Sequence, residues 1–283
     1  MLATAGIVLA GGRSSRMGTP KVALEWHGST LLRRVTGIVA RATGGPVVVV
    51  RAPGQELPAL PRGVEVTEDA REGRGPLQGL AAGLAALDGR VEVAFVSSTD
   101  APLLHPAFVR LVVGALDSEH DVALPQAGGF PHPLAAAYRT ALLPSVEALI
   151  AADRMRPAFL FEACRVRRLE EAVLLADPAV AAFDPELDSV LNLNKPADYE
   201  AARARPAPEV TVRCFGALRQ GLGAGRDPLV VHAATLAAAA SAVGLELDEH
   251  VVAALNGDQI TRDPEEPLAI GDTVAFLAAD AGG

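Results

Sequence analysis

The segment AGIVLAGGRSSRMGTPK, Ala5–Lys21, decides how the chain is read, because an uncharged apolar run passes directly into a glycine-rich loop carrying Arg13, Arg16 and Lys21. A short continuous apolar run is what a strand buried on both faces looks like. Glycines leaving such a strand let the backbone approach an anion closely. Two familiar phosphate loops do not match. Gly12 and Gly18 are separated by five residues and Thr19 follows, so G-x-x-x-x-G-K-[ST] fails, and G-x-G-x-x-G fails too. Gly11 and Gly12 suit approach by a phosphate, while Arg16 and Lys21 suit its charge. A plain turn with solvated cations is the simpler alternative.

Outward from that loop, strand-like runs alternate with helical stretches over the first two hundred residues. The runs are AGIVLA, PVVVV at 46–50, GVEVTE at 63–68 and VEVAFVSST at 91–99. Shorter ones follow at 120–126, 132–139 and 189–194, read as including an antiparallel edge. STLLRRVTGIVARA at 29–42 and LQGLAAGLAALDG at 77–89 carry apolar residues at helical spacing. The expected class is therefore α/β, a Rossmann-like layered domain with a mostly parallel sheet and its ligands at the carboxyl ends of the strands. Two prolines in Pro206-Ala207-Pro208 stop the pattern, which gives domains at 1–205 and 209–283. The second part, with VTVRCF, PLVVH, TLAAAASAVG, VVAALNG and TVAFLAAD, reads as a small α+β unit.

Bulk composition narrows the possibilities. A chain of 283 residues with 50% hydrophobic and 4% aromatic content has a core of Ala, Val and Leu. A net charge of −9 argues against nucleic acid as a partner. Residues 208–283 hold 4 Lys/Arg and 11 Asp/Glu, so −7 of that charge lies there and −2 in residues 1–207. No apolar run approaches the ~20 residues of a membrane span, and MLATAGIVLAGG lacks a basic signal start. No membrane partner and a cytoplasmic location are expected. Cys164 and Cys214, with no C-x-x-C and no His cluster, suggest neither a disulfide framework nor a zinc site.

Two further stretches carry chemistry. In FVSSTDAPLL, Asp100 ends the strongest apolar run, where a carboxylate beside a phosphate loop can hold Mg²⁺ together with phosphate oxygens. A helix N-cap or Asx-turn is the alternative for the same residue. In EDAREGRGPLQG, Asp69 closes a strand and Gly75, Pro76, Leu77, Gln78 and Gly79 open a helix with little side-chain bulk, a surface that can read a flat base.

LAGGRSSRMGTPK, GPLQG, STDAP and NLNKPAD, in this order, resemble the molybdenum cofactor guanylyltransferase family over residues 5 to about 200. That resemblance implies a Mg²⁺-dependent transfer of GMP from GTP to molybdopterin or molybdenum cofactor, with pyrophosphate released. It places GTP on Leu9, Ala10, Gly11 and Lys21, nucleotide on Asp69, and both nucleotide and Mg²⁺ on Asp100. Arg16 would neutralise the leaving pyrophosphate, and Asn192 and Asn194 would lie near the pterin phosphate. His132, before Pro133, matches a family His-Pro pair. Three positions depart from the pattern: Lys195 stands where the family usually has Thr, Gln78 replaces a small residue, and no Asn follows Val50-Arg51. Relatives that make the cytosine dinucleotide usually show LAAG, so a cytidylyltransferase is the alternative within the family. A non-catalytic cofactor or sulfur carrier is the alternative outside it.

The second part resembles the small, sulfur-carrier subunit of molybdopterin synthase through VRCFGALRQGLG, LNGDQI and GDTVAFLAADAGG. This implies a β-grasp, ubiquitin-like domain whose Gly282-Gly283 end is adenylylated and converted to a thiocarboxylate. Its implied partners are an adenylyl-activating enzyme and the molybdopterin synthase large subunit.

Overall fold

The computed structural model describes residues 3–11, 20–69, 73–222 and 228–278. Gly12, Arg13, Arg16, Gly282 and Gly283 lie outside the described residues. Two compact units divide the chain, Met1–Leu24 with Thr30–Pro196, and Glu25–Ser29 with Ala197–Gly283.

The strand β1 (Thr4–Leu9) sits at the centre of the first unit and is buried along its length from Ala5. The hairpin of β2 (Glu25–Trp26) and β3 (Ser29–Thr30) precedes the helix α1 (Leu31–Thr43), which Thr30 caps by accepting from the Arg33 N–H and Gly44 ends at φ 66°. Then come β4 (Val47–Arg51), β5 (Glu65–Glu68), α2 (Pro76–Leu87), β6 (Val93–Ser98) and α3 (Pro106–Gly114). A second group follows, with β7 (Val122–Ala127), β8 (Phe130–Pro131), β9 (Ala135–Arg139), α4 (Leu143–Ala151), α5 (Pro157–Ala163), β10 (Val166–Leu169), α6 (Glu171–Leu174) and α7 (Pro178–Phe183).

The sheet order is β10-β7-β9-β6-β1-β4-β5, with β8 on β7. Neighbours are parallel throughout β6-β1-β4-β5 and again for β7 with β10. Helices reach both faces of β1, and two glycines set how closely. A Cβ on Gly6 would lie 2.2 Å from Val39 Cγ1 of α1, and one on Gly83 of α2 would lie 2.6 Å from Ile7 Cγ2. Ile7, Leu9, Leu77, Leu80 and Leu84 share the core on the α2 side.

Two expectations are corrected here. The antiparallel strand is interior, because β9 lies between β6 and β7 and pairs antiparallel with both. Residues 189–194 form no strand: Asp188–Val190 is a 3₁₀ turn, and the extended segment after it gives its Leu193 N–H to the carbonyl of Asp100 rather than to a ladder.

In the second unit α8 (Pro196–Arg203) and the hairpin belong together. The Tyr199 hydroxyl donates to the carbonyl of Glu25, and the Arg203 guanidinium pairs with the Glu25 carboxylate. Those bonds explain why this unit takes in residues before the Pro206–Pro208 connector. Next come β11 (Glu209–Cys214), β12 (Leu229–His232), α9 (Leu236–Ala242), β13 (Val251–Leu255), β14 (Gln259–Thr261) and β15 (Thr273–Ala278). Their sheet runs β12-β11-β15-β13-β14, with β11 parallel to β15 and every other neighbour antiparallel. Strict alternation on β11 turns Val210, Val212 and Cys214 to one side, where they meet Leu236 and Ala239 of α9, Val274 and Phe276. No helix among the described residues is long and apolar enough to cross a membrane.

Candidate active site

Four adjacent parallel strands end on one side of the sheet, and each delivers polar groups there. The ends are Ser98–Asp100 after β6, Leu9–Gly11 at β1, Ala52 and Gln55 after β4, and Asp69 after β5. A cavity of about 490 Å³ opens over them, closed also by Lys21, Val22, Gly75, Pro76, Gly79, Leu134, Asn192 and Asn194. Its position at the carboxyl ends follows from the parallel order, since every crossover helix begins there.

One end is charged. The Lys21 ammonium lies 3.1 Å from Asp100 Oδ2, and the Ser98 hydroxyl donates to Asp100 Oδ1 at 2.6 Å. Both charged side chains are about one-fifth exposed, 23% and 19%, so the pair is shielded yet reachable. Asp100 caps no helix. His105 performs that task for α3, its Nδ1 accepting from the Ala107 N–H at 3.1 Å. Asn192 and Asn194 flank the buried Leu193, whose N–H donates to the Asp100 carbonyl at 2.8 Å, so that anchor holds both asparagines against the charged end.

The other end is built of backbone, the Gln55 amide and the Asp69 carboxylate. Gly75 has φ 95°, a conformation that favours glycine, and Pro76 begins α2 without a side-chain cap. Gly79 lies under Leu9, where a Cβ would sit 3.1 Å from Leu9 Cδ2. Leu77 is 1% exposed and belongs to the core rather than to the cavity wall.

Placement differs from expectation at three points. The N–H groups of Ala10 and Gly11 both donate to the Val50 carbonyl, at 2.8 and 3.2 Å, so neither is aimed at an anion. A Cβ on Gly11 would lie 3.4 Å from the Ala52 nitrogen, an ordinary van der Waals contact with the turn after β4. His132 does not line the cavity: it follows β8, its Nε2 lies 3.0 Å from the Ala127 carbonyl and its N–H donates to that of Pro125, so it is held against β7. Gln55 and Leu134 line the cavity although no motif marks them, and so do Ser98 and Thr99, which stand in STDAP without a role assigned to either. Ser98 and Thr99 carried the one usable signal, their adjacency to Asp100. Among the thiols, burial pushes Cys164 up to about 11, with Asp121 adding to it, which keeps it protonated and unreactive near neutral pH.

Residues 6–168 match the family model described as "MobA-like NTP transferase domain". A protein named "Probable molybdenum cofactor guanylyltransferase" from Mycobacterium bovis is 40% identical over 169 residues, 58% of this chain and 82% of that protein. One of the same name from Mycobacterium ulcerans is 37% identical over 201 residues, 70% of this chain and 92% of that protein. The crystal structure of "Molybdopterin-guanine dinucleotide biosynthesis protein A" from Archaeoglobus fulgidus has a TM-score of 0.53 at 23% identity and covers 70% of this chain and 96% of that one, a likeness of fold.

Proposed function

We propose, from the premise that this chain belongs to the MobA-like NTP transferase family, that its first unit transfers GMP from GTP to molybdenum-bound molybdopterin. Nucleotidyl transfer is the activity of the family's curated relatives, and this chain is a nucleotidyltransferase of that kind. The observation that carries the finer reading is the polarity of the cavity along the strand order. Lys21 and Asp100 mark one end at β6, and Asp69 marks the other at β5, three strand spacings or about 14 Å away. Triphosphate at the first end and base at the second is the orientation that this charge distribution favours.

In the transfer an oxygen of the pterin's terminal phosphate bonds to the α-phosphorus of GTP. The bond from that phosphorus to the bridging oxygen breaks, and pyrophosphate leaves with the electron pair. Lys21 holds positive charge beside the phosphates, Asn192 and Asn194 supply amide donors on the acceptor side, and Arg16 is assigned to the leaving group. Catalysis is positioning and electrostatics, with no protein nucleophile. Mg²⁺ suits the Asp100 end by donor chemistry. One carboxylate stands there, and the described residues hold no cluster of three or more His, Cys, Asp or Glu, so phosphate oxygens and water would complete its shell. Bound there, it would neutralise phosphate charge. At the base end a carboxylate can accept both N1–H and N2–H of guanine but only one exocyclic donor of cytosine, which favours GTP.

A panel of GTP, CTP, ATP and UTP with molybdopterin and Mg²⁺ tests the reading. GTP should lead in kcat/KM by at least about tenfold, the value of one or two hydrogen bonds. Equal use of CTP rejects the base assignment, and no dinucleotide product from any of the four rejects the reaction.

For the second unit we infer a β-grasp sulfur carrier. Numbered within the unit, its strands run 2-1-5-3-4 with a helix between the second and third, the arrangement that supports this reading. Gly283 is the position assigned to the thiocarboxylate. Incubation with an activating enzyme, ATP and a sulfur donor should give the oxygen-to-sulfur mass gain in the intact protein, and an unchanged mass rejects the carrier role.

A further inference from the structure

The turn after β4 contains an interaction that no motif announced. Gln55 folds its side chain back across the cavity wall. Its Nε2 donates to the Ala10 carbonyl at 3.1 Å, and its Oε1 accepts from the Ala52 N–H at 2.9 Å. Its own N–H donates to the Ala52 carbonyl at 3.0 Å, which closes the turn, and Arg51 Nη1 donates to the Gln55 carbonyl at 3.0 Å. Gly54, inside the turn at φ 69°, permits the reversal. An amide is the one common side chain that gives and accepts a hydrogen bond from adjacent atoms, and here both halves are used.

The side-chain bonds join the turn at Ala52 to Ala10, in the segment Leu9–Gly11. The N–H groups of Ala10 and Gly11 are already tied to the Val50 carbonyl, and the Leu9 carbonyl accepts from the Thr99 hydroxyl at 3.1 Å on the β6 side. Gln55 adds a side-chain tie on the β4 side, to the next carbonyl, that of Ala10. The strand order puts β4 on the opposite side of β1 from β6, away from the Lys21–Asp100 pair and toward Asp69. We propose that Gln55 is a positioning residue for nucleotide selection, holding the Leu9–Gly11 backbone in register with the turn after β4 so that the base end of the cavity keeps one shape. The proposal rests on the nucleotide-transfer reading of this cavity.

Three full-length variants and two probes test it. Gln55→Met keeps the bulk and removes both bonds. With Mg²⁺ present, it should bind GTP about tenfold more weakly by calorimetry, the loss expected for one or two neutral hydrogen bonds. Inorganic triphosphate, which reaches only the charged end, should bind the variant as it binds the original protein. The same split should appear in turnover, with KM for GTP raised and kcat at saturation within about threefold. Gln55→Glu places a carboxylate oxygen against the Ala10 carbonyl, so its GTP affinity should be at least as poor at pH 8. It should recover as the pH falls and the protonated carboxyl donates again. Gln55→Ala should resemble Gln55→Met. Unchanged GTP affinity in all three variants overturns the proposal, as does an equal loss for GTP and triphosphate, the sign of a general structural fault. If the unsubstituted protein binds GTP no better than triphosphate, the nucleotide reading itself fails and takes this proposal with it.

Discussion

Asp100→Asn should lower kcat/KM for dinucleotide formation by at least about a thousandfold, a loss of about 4 kcal/mol of transition-state stabilisation. The substitution keeps the shape of the side chain and an oxygen for the Ser98 hydroxyl, so the wall of the cavity stays in place. What it removes is the negative charge 3.1 Å from the Lys21 ammonium, the charge that suits a divalent ion. Without it the phosphates of a bound nucleotide would meet an ammonium that has lost the Asp100 counter-charge, and that end of the cavity would lose a charged oxygen donor suited to magnesium. Folding should change little, since a partly exposed ion pair contributes only about 0–1 kcal/mol. A melting temperature within a few degrees of the original, with activity down a thousandfold, is the expected pair of results. Activity within tenfold of the original would remove Asp100 from the chemistry.

How much of this was readable beforehand depends on whether a residue acts through a local pattern. AGIVLA and PVVVV read as buried parallel strands because burial on both faces leaves a continuous apolar run, and β1 and β4 are such strands. Asp69 and Asp100 could be picked out because they close the runs GVEVTE and VEVAFVSST, and the sheet brings both to one cavity. The interior place of β9 was not readable. A strand of five residues, Ala135–Arg139, shows its length and apolarity but not its neighbours, which long-range pairing decides. SVLNLN alternates like a strand because Leu193 must be buried between two exposed asparagines, and that demand is met by a single anchor to the Asp100 carbonyl. His132 was marked only by its match to a family His-Pro pair, and its ring lies 3.0 Å from the Ala127 carbonyl, outside the cavity lining. Gln55 is the opposite case. One glutamine a few residues beyond a strand has no spacing to reveal it, and its role appears only when the chain folds it over Ala10.

Asp184→Asn should stabilise the protein at pH 8 by up to about 3 kcal/mol and by much less at pH 4. The residue is 4% exposed, and burial raises its carboxyl from 3.8 to about 6 against the opposing hydrogen bonds from Ser189 and the Asp188 N–H. The folded state therefore holds the proton more tightly than the unfolded one. Between pH 3.8 and about 6 the folded protein binds more protons, so this group's contribution to stability falls as pH rises through that window. Above pH 6 the whole cost is present, and below 3.8 both states are protonated and it vanishes. A neutral asparagine keeps an acceptor for the Ser189 N–H and removes the buried charge. Urea midpoints of both proteins at pH 8 and pH 4 measure the effect, and an equal difference at the two values would rule out Asp184 as its source. The cost has a structural counterpart. The carboxylate accepts from the Ser189 N–H at 3.3 Å, the Ser189 hydroxyl oxygen accepts from the His105 N–H at 2.9 Å, and the turn Asp188–Val190 then leads into Asn192, Leu193 and Asn194. A charged acceptor holds such a turn more firmly than a neutral one. The carboxyl that weakens the fold above pH 6 thus sits where the Asn192–Asn194 wall of the cavity is anchored, and stability is given up where that wall is held in place.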